Sequence, residues 1–480
     1  MNRLFGGFKF GWAAAITSGL IFMGLFFIRI GLFRNDASET LQIRKAPDKD
    51  IWMSILHQEK KIGYSHRRMT HEKGEYLLSE TAFLSINIMG LVQDIQILTT
   101  GKLKNDFSLT SFTFELQSNL FNFKTHGKVN GNELTVFLDQ KPISIAIDEP
   151  LYLAAGLLDG AWLSDLKPNQ TRTFSVFDPS FMGKRPVHVT LVGNDRLTVM
   201  GKQQETKKIS IDFMGNKQTA WIGRDGNVVK EKGFMGLTLM RVSKAEARQD
   251  LTASRDLTRT VAVAVNRPID GADQLQQLRL RIEGVDIGRI FLNGGRQVLT
   301  NDELTINKES LKALSGSAGK VGESYLKPTP FIQSDHPLIK QMAAEIIIQD
   351  DPPMIRAKKL VAWVHRHIEK RPVLSVPNAL ETLKNRIGDC NEHAVLLAAL
   401  SRACGIPAQV EAGLVYMKGR FYYHAWNVLL LGDWITADGL MGQMPADVTH
   451  IRFVRGEPSK QLDLMSVMGK VKLDILEQKR

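Results

Sequence analysis

Cysteine is nearly absent from this sequence: only Cys390 and Cys404 occur among 480 residues. So few cysteines exclude a small domain held together by disulfides. The local pattern predicts that both residues lie on one helix. A rise of 1.5 Å per residue then separates them by roughly 20 Å, too far for a disulfide bridge. Each thiol must therefore be judged by its own surroundings.

The sequence also lacks the patterns of several common protein classes. Its 43% hydrophobic and 23% charged residues are close to globular averages, which excludes a disordered chain and a protein with many membrane spans. The net charge is +12, yet the basic residues are scattered and form no stripe with interleaved aromatics. We therefore expect no nucleic-acid partner, and an anionic membrane or cell-wall surface suits the charge better. The length predicts two or three domains.

One long uncharged run lies near the N-terminus. Residues Gly11 to Ile28 carry no charge and are rich in Ile, Leu, Phe and Ala, about the minimum length of a membrane span. Arg3 and Lys9 favour a cytoplasmic N-terminus, and no clear cleavage site follows the run. We predict an uncleaved transmembrane signal anchor at residues 1–34, with the body on the periplasmic or extracytoplasmic side of the inner membrane. A buried helix of a soluble domain is the alternative.

Residues 50–250 consist of short runs in which apolar and polar residues alternate, and turn residues separate these runs. Period-two alternation with Asn-Gly, Gly-Asn and Asp-Gly turns is the signature of β-hairpins. Examples are Leu77–Leu91, Val187–Val192 and the turn Gly223–Asn227. We predict a large antiparallel β domain here, with helix mainly in Pro150–Asp165. Residues 255–320 add strand-like runs and a Gly/Ser-rich linker, and either a small separate β unit or an extension of the first sheet would fit.

A helical pattern begins near residue 335. Apolar spacing predicts helices at Leu338–Gln349 and Met354–Lys370, and Asn378 is placed to cap a third. The next helix, Cys390–Ala403, is apolar nearly all round, so it should run through the centre of its domain. Three predicted strands follow it, at Gln409–Met417, Phe421–Leu431 and Trp434–Asp438.

Cys390 lies at the start of the apolar helix. Asp389 can cap this helix, which leaves Cys390 in the first turn, where free N–H groups and the helix dipole favour an anion. A thiol in such a position has a lowered pKa, and the thiolate is the nucleophile. We therefore predict a reactive Cys390, whereas Cys404 is expected to be inert core.

The pairing of the last two strands decides whether His424 and Asp438 can meet. A two-residue loop at Gly432-Asp433 would set Asp438 opposite Asn427, on the other face of the sheet from His424. An odd-length loop or a bulge would set Asp438 opposite Trp426, diagonal to His424 on the same face. A catalytic His-Asp pair therefore requires the second register.

Four blocks follow one another in this last third of the chain. They are Gly388-Asp389-Cys390, Arg402-Ala403-Cys404-Gly405-Ile406-Pro407-Ala408, His424-Ala425-Trp426 and Trp434-Ile435-Thr436-Ala437-Asp438. Together they resemble the bacterial transglutaminase-like family over residues 335–480, which implies a papain-like α+β domain. The resemblance implies Cys390 as nucleophile, His424 as general base and acid, and Asp438 as the group that orients His424. Many relatives have proline where this chain has Gly439, a difference that bears on substrate positioning.

The whole chain is therefore predicted to be α+β. It comprises a transmembrane helix at 1–34, an antiparallel β domain at 50–250, a small β unit and linker at 255–320, and a transglutaminase-like domain at 335–480. The implied function is acyl transfer or hydrolysis of peptide-type amides through a thioester, by a membrane-anchored envelope enzyme. Its substrate would be a peptide, a protein or a cell-wall peptide. A non-enzymatic binding protein that retains the fold is the alternative.

Two other arrangements of the site residues remain open. His393, one turn after Cys390, could replace His424 as the base, although on a buried helix it is expected to pack or bond locally. His424 and His450 could join Cys390 and His393 in a zinc site, but a single Cys-x-x-His pair is weak support. No acidic cluster has the spacing of a calcium loop. We predict no metal and no other cofactor.

Overall fold

The computed structural model of the chain describes most residues beyond the N-terminal segment. These are 48–88, 91–119, 121–138, 141–159, 161–180, 182–213, 216–233, 236–251, 262–311, 320–348 and 350–480. The chain divides into two compact units. The first ends at Leu257, and the second comprises Thr258–Val373 and Pro377–Arg480.

The prediction of an α+β chain is wrong, because the molecule is mostly β. Strands account for 51% and helices for 19%, and one large sheet dominates. The helices predicted around Cys390 are present, but helices contain far fewer residues than the strands do. The predicted transmembrane helix at 1–34 lies outside the described residues. Among the described residues, no helix is long and apolar enough to cross a membrane.

A single sheet of fifteen strands makes up most of the first unit. The strands are β1 Lys49–His57, β2 Lys60–Glu72, β3 Glu75–Ile88, β4 Leu91–Leu103, β5 Leu109–Ser118, β6 Asn122–Asn130, β7 Glu133–Leu138, β8 Lys141–Ala146, β9 Leu151–Leu153, β10 Thr171–Asp178, β11 Gly183–Val199, β12 Lys202–Phe213, β13 Asn216–Gly223, β14 Val228–Lys232 and β15 Leu237–Val242. Their order is β8-β7-β6-β5-β4-β3-β2-β1-β15-β14-β13-β12-β11-β10-β9. The first and last strands therefore pair, antiparallel, in the middle of the sheet.

Alternation of buried and exposed side chains builds this sheet. Along β6, for example, Phe123 and Thr125 are buried while their neighbours are exposed, the period of a strand with one packed face. The helix predicted mainly in Pro150–Asp165 is present there as helix α1, Ala154–Leu157, and the 3₁₀ turn Ala161–Ser164. The same segment begins with strand β9, which pairs in parallel with β10. Helix α2, Lys244–Arg248, follows β15.

Two main sheets form the β part of the second unit. The strands of this unit are β16 Val263–Ala264, β17 Gln277–Glu283, β18 Gln297–Thr300, β19 Glu303–Asn307, β20 Glu369–Lys370, β21 Ile387–Gly388, β22 Ala408–Met417, β23 Arg420–Leu430, β24 Trp434–Ala437, β25 Ile451–Gly456 and β26 Lys472–Lys479. One sheet has the order β18-β19-β17-β26, and the other has the order β16-β23-β22-β25 with β24 also paired to β23. Strands from residues 263–307 therefore belong to both sheets of this unit.

Four helices of the second unit pack together, and one of them lies against the sheet that contains β22 and β23. They are α3 Pro337–Ile346, α4 Pro353–His367, α5 Ala379–Asn385 and α6 Cys390–Ala403. Every residue of α6 from Cys390 to Arg402 is buried, so the helix predicted to be central is central. It packs against β22 and β23 on one side and against α3, α4 and α5 on the other.

Candidate functional site

Strand β24 brings Asp438 to the face of the sheet on which His424 lies. The loop between β23 and β24 has three residues, 431–433, and the register of the pair places Asp438 opposite Trp426. His424 Nε2 and Asp438 Oδ2 are 2.6 Å apart. The odd-length loop that a His-Asp pair requires is therefore present.

A capping box fixes the start of α6 beside this pair. The Asp389 carboxylate accepts a hydrogen bond from the Asn391 N–H at 2.8 Å, and the Glu392 carboxylate accepts one from the Asp389 N–H at 2.9 Å. Residue 388 must be glycine here, because an added Cβ would lie 2.3 Å from the Cβ of Glu392. The predicted N-cap is thus confirmed, and Cys390 occupies the first helical position.

The Cys390 thiol faces strand β23. Its sulfur accepts a hydrogen bond from the backbone N–H of Ala425, the residue next to His424. Cys390 and His424 are both 0% exposed, and Asp438 is 1% exposed. The first turn of α6 and the His-Asp pair therefore share one buried environment.

The free thiol does not have the lowered pKa that the helix start predicted. Burial raises the pKa of Cys390 well above its ordinary value, and the charge of Asp389 raises it further, while the Ala425 N–H acts in the opposite direction. The prediction was wrong because it considered the helix dipole but not the removal of the thiolate from water. Cys390 must therefore lose its proton to a neighbouring base in order to react.

His424 has one ring nitrogen available for that proton. Its Nε2 faces Asp438, while its Nδ1 is buried and has no hydrogen-bond partner within the described part of the chain. A carboxylate on one nitrogen fixes the ring and leaves the other nitrogen as the site of proton exchange. The ring is thus oriented as a general base requires.

A second histidine contacts the same carboxylate. His450 Nε2 lies 3.0 Å from Asp438 Oδ2, and His450 Nδ1 lies 3.2 Å from Asp447 Oδ1. The other oxygen of Asp438 accepts a hydrogen bond from the Met441 N–H at 2.8 Å. The sequence suggested His450 only as a zinc ligand, because its position beside Asp438 depends on the fold of residues 438–450.

Imidazoles and carboxylates alternate along this cluster, and their contacts shift the pKa of Asp438, Asp447 and His450. Burial alone would raise the pKa of Asp438, but His424 and His450 hold it well below its usual range. Burial would likewise raise the pKa of Asp447, which His450 and the Thr449 hydrogen bonds hold low. Burial lowers the pKa of His450, yet the two carboxylates raise it overall to about 9. His450 is therefore positively charged at neutral pH.

The same three side chains could offer ligands to a metal. Atoms of His424, Asp438 and His450 lie within 4.8 Å of one another, and this group does not include Cys390 or His393. Tetrahedral zinc with bonds of ~2.0 Å holds its ligand atoms about 3.3 Å apart. The observed separations of 2.6 and 3.0 Å are shorter and suit hydrogen bonds. The geometry favours a proton-linked cluster over the zinc site.

The alternative base, His393, is bonded locally. Its Nδ1 lies 2.6 Å from the carbonyl oxygen of Asp389, one turn earlier in α6. Burial lowers the pKa of His393 to about 4. A histidine that resists protonation in this way is a poor acceptor for the thiol proton, so the geometry favours His424.

Two residues far upstream hold the segment that carries Asp438 and His450. Arg296 donates to the backbone carbonyls of Ala446, Asp447 and His450, at 2.7, 3.0 and 2.9 Å. The Glu309 carboxylate accepts hydrogen bonds from Arg296 at 3.1 Å and from the Thr436 N–H at 2.9 Å. Sequence reasoning missed this pair, since a buried arginine far from the motifs carries no local signal.

Comparison with solved structures finds weak similarity. A candidate cysteine protease from Cytophaga hutchinsonii is 14% identical, covering 41% of this chain and 83% of its own, with a TM-score of 0.27. A β-barrel-like protein of unknown function from Brucella abortus is 14% identical, covering 42% and 97%, with a TM-score of 0.32. A candidate protease from Parabacteroides distasonis is 10% identical, covering 68% and 64%, with a TM-score of 0.19.

Comparison of the sequence with protein families gives a more specific result. No curated protein matches the chain. The model of the transglutaminase-like superfamily matches residues 340–439, a range that includes Cys390, His424 and Asp438. Residues 340–439 thus form a domain of the transglutaminase-like superfamily.

Proposed function

We propose that the protein is an envelope cysteine enzyme that transfers or hydrolyses acyl groups of peptide-type amides. Cys390 is its nucleophile, His424 its general base and acid, and Asp438 the group that orients His424. The observation that carries the proposal is the 2.6 Å pair of His424 and Asp438 beside a thiol bonded to the Ala425 N–H. Peptides, proteins and cell-wall peptides are the proposed substrates.

The proposed reaction moves one proton through His424. Nδ1 of His424 takes the proton of the Cys390 thiol, and the sulfur attacks the amide carbonyl carbon. The C–N bond then breaks, the leaving amine receives the proton from His424, and a thioester remains. Water or a second amine resolves the thioester. The backbone N–H of Cys390, at the first turn of α6, is placed to donate to the oxyanion.

Thiol alkylation across pH tests the proposal. The full-length protein reacts with iodoacetamide, and Cys390→Ala supplies the background rate of Cys404, whose pKa burial raises to about 11. Because His424 takes the thiol proton during the reaction, we expect a Cys390 rate that persists well below the free-thiol pKa and disappears in His424→Ala. An ordinary thiol profile, unchanged by His424→Ala, would refute an activated pair. Because Cys390 is buried, the absolute rate of alkylation is not informative. The informative quantity is the alkylation midpoint, the pH at which the Cys390 rate reaches half of its maximum.

One observation favours a second candidate, a binding protein that retains the fold. The Cys390 side chain is 0% exposed, and burial raises its pKa, so the resting thiol is protonated and covered. Replacing Cys390 with alanine separates the two functions in cells. Loss of the cellular role with a stable protein supports the enzyme, and an intact role supports the binding protein.

We also propose that the folded body lies outside the cytoplasm. This proposal rests only on the uncharged residues Gly11 to Ile28 and the basic residues before them. A reporter enzyme fused at the C-terminus gives the test. Activity of a reporter that functions only in the cytoplasm would contradict the location.

A further inference from the structure

His450 contacts the reactive pair, yet the Cys-His-Asp scheme gives it no role. Its Nε2 and the Nε2 of His424 approach the same oxygen of Asp438, at 3.0 and 2.6 Å. Its Nδ1 faces Asp447 at 3.2 Å. Both ring nitrogens of His450 therefore point at carboxylates, and only an imidazolium can donate to both.

We infer that His450 is a positioning residue: as an imidazolium between Asp438 and Asp447, it holds the carboxylate that orients His424 and sets the pH range of proton exchange with Cys390. The second part of this inference rests on the proposed function. The first part does not depend on it: His450 is charged and makes hydrogen bonds to two carboxylates.

The contacts around the two carboxylates explain how His450 fixes Asp438. Three N–H groups, those of His424, His450 and Met441, hold the two oxygens of Asp438. Asp447, at the far side of His450, accepts from the N–H and hydroxyl of Thr449 and from Gln443. Without His450, Asp438 would lose one of the two donors on Oδ2, and Asp447 would lose a counter-charge.

Other elements also present groups to this cluster. The Trp426 ring meets His450 edge-on at 5.1 Å between centroids, and Arg296 donates to the backbone carbonyl of His450, 2.9 Å away. The titratable groups that interact with the charge of Asp438 are His365 of α4, Lys370 of β20, and Cys390 and His393 of α6. Burial lowers the pKa of Lys370, and the charge of Asp438 acts in the opposite direction. His450 is the cation bonded directly to Asp438.

The charge of His450 has a definite effect on the pair. Its ring centroid lies 5.6 Å from that of His424, so its positive charge favours the negatively charged thiolate of Cys390 in the same buried environment. Loss of that charge should therefore move the pH dependence of Cys390 alkylation to higher pH.

Nitrogen NMR of the full-length protein labelled with ¹⁵N-histidine tests the charged state directly. The His450 signals are assigned by their absence in His450→Gln. We expect both ring nitrogens of His450 to stay protonated at pH 7 and to titrate above pH 8. A neutral His450 at pH 7 would overturn the inference, whatever the reactivity of Cys390.

The pH profile of iodoacetamide alkylation tests the positioning role. His450→Gln keeps a donor for Asp438 but removes the charge, and His450→Phe removes both. We expect both variants to shift the Cys390 midpoint upward by about one to two pH units. The maximal rate should stay within about tenfold in His450→Gln and fall by about 100-fold or more in His450→Phe.

A purely structural role would lower the melting temperature and leave the midpoint in place, and that result would overturn the positioning role. Should His450→Phe fail to fold, the midpoint of His450→Gln decides. An ordinary thiol profile in the wild type would instead refute the proposed function, and the charge of His450 would still be decided by NMR.

Discussion

Four buried side chains, alternately imidazole and carboxylate, extend from His424 through Asp438 and His450 to Asp447. Each carboxylate is stabilised by at least one imidazole, and His450 is stabilised by two carboxylates. Removing one member would leave a buried charge without its partner, which is far more costly than losing an exposed ion pair. At the scale of single residues, the cluster therefore links protonation to folding.

This linkage predicts how stability depends on pH. The pKa of His450 is about 9 in the folded protein, above an unfolded value of about 6.5. Its contribution is therefore fully present below pH 6.5 and is lost as the pH rises to about 9, a loss of roughly 3 kcal/mol. Urea unfolding at pH 6 and pH 9.5 measures it. His450→Gln should remove this difference, and an equal difference in the variant would assign it to other groups.

Among the elements, helix α6 combines opposing influences on its first residue. The positive end of its dipole favours a thiolate at Cys390, while burial and the carboxylates of Asp389 and Glu392 oppose one. The same two carboxylates form the capping box that starts the helix. Helix initiation and thiol reactivity thus place conflicting demands on Asp389.

We therefore predict that Asp389→Asn makes Cys390 more reactive. Asparagine keeps the oxygen that accepts from the Asn391 N–H, so helix stability should change by less than about 0.5 kcal/mol. It removes the negative charge that raises the pKa of Cys390, so the alkylation midpoint should move to lower pH. Asp389→Ala is the control, because it removes charge and cap together and should cost about 1 kcal/mol. An unchanged midpoint in Asp389→Asn would contradict the electrostatic explanation.

Features set by local sequence could be predicted at this scale. The central helix and its Asp389 cap follow from residue patterns within a few positions. The loop sequence left the register of β23 and β24 open, and only the hypothesis of a His-Asp pair required the odd register that the structure has. The raised pKa of Cys390 could not be predicted, because burial depends on what packs around the helix. The place of His450 depends on the irregular segment 438–450, for which no periodicity exists.

At the scale of the whole molecule, the wrong fold class has a similar cause. Each hairpin of the first unit was visible in the sequence, but their union into one sheet of fifteen strands depends on long-range pairing of β1 with β15. In the second unit, β26 at the end of the chain pairs with β17, about 200 residues earlier. No local pattern shows such pairings, so the total strand content was underestimated.

Arg296 gives a prediction about this long-range support. Its side chain is 4% exposed and pairs with the nearly buried Glu309. We expect Arg296→Ala to lower the free energy of unfolding by about 3–5 kcal/mol, because it removes the counter-charge of Glu309 and a donor to three carbonyls. Arg279→Ala is the matched control: it loses only ion pairs of a side chain that is 45% exposed, and should cost at most about 1 kcal/mol. Equal costs in urea unfolding would contradict the proposed support.

The last prediction concerns which part of the chain is needed for a stable domain with a reactive Cys390. A fragment of residues 335–480 keeps Cys390, His424 and Asp438 but lacks Arg296, Glu309 and the three strands that complete the sheet of β26. Its apolar Leu473 and Ile475, which are 3% and 2% exposed in the full chain, would face water. We expect this fragment to aggregate or unfold without cooperativity, whereas residues 262–480 should unfold cooperatively and retain the alkylation midpoint of the full-length protein. A stable 335–480 fragment with that same midpoint would show that the matched family domain suffices and that residues 262–334 only add to it.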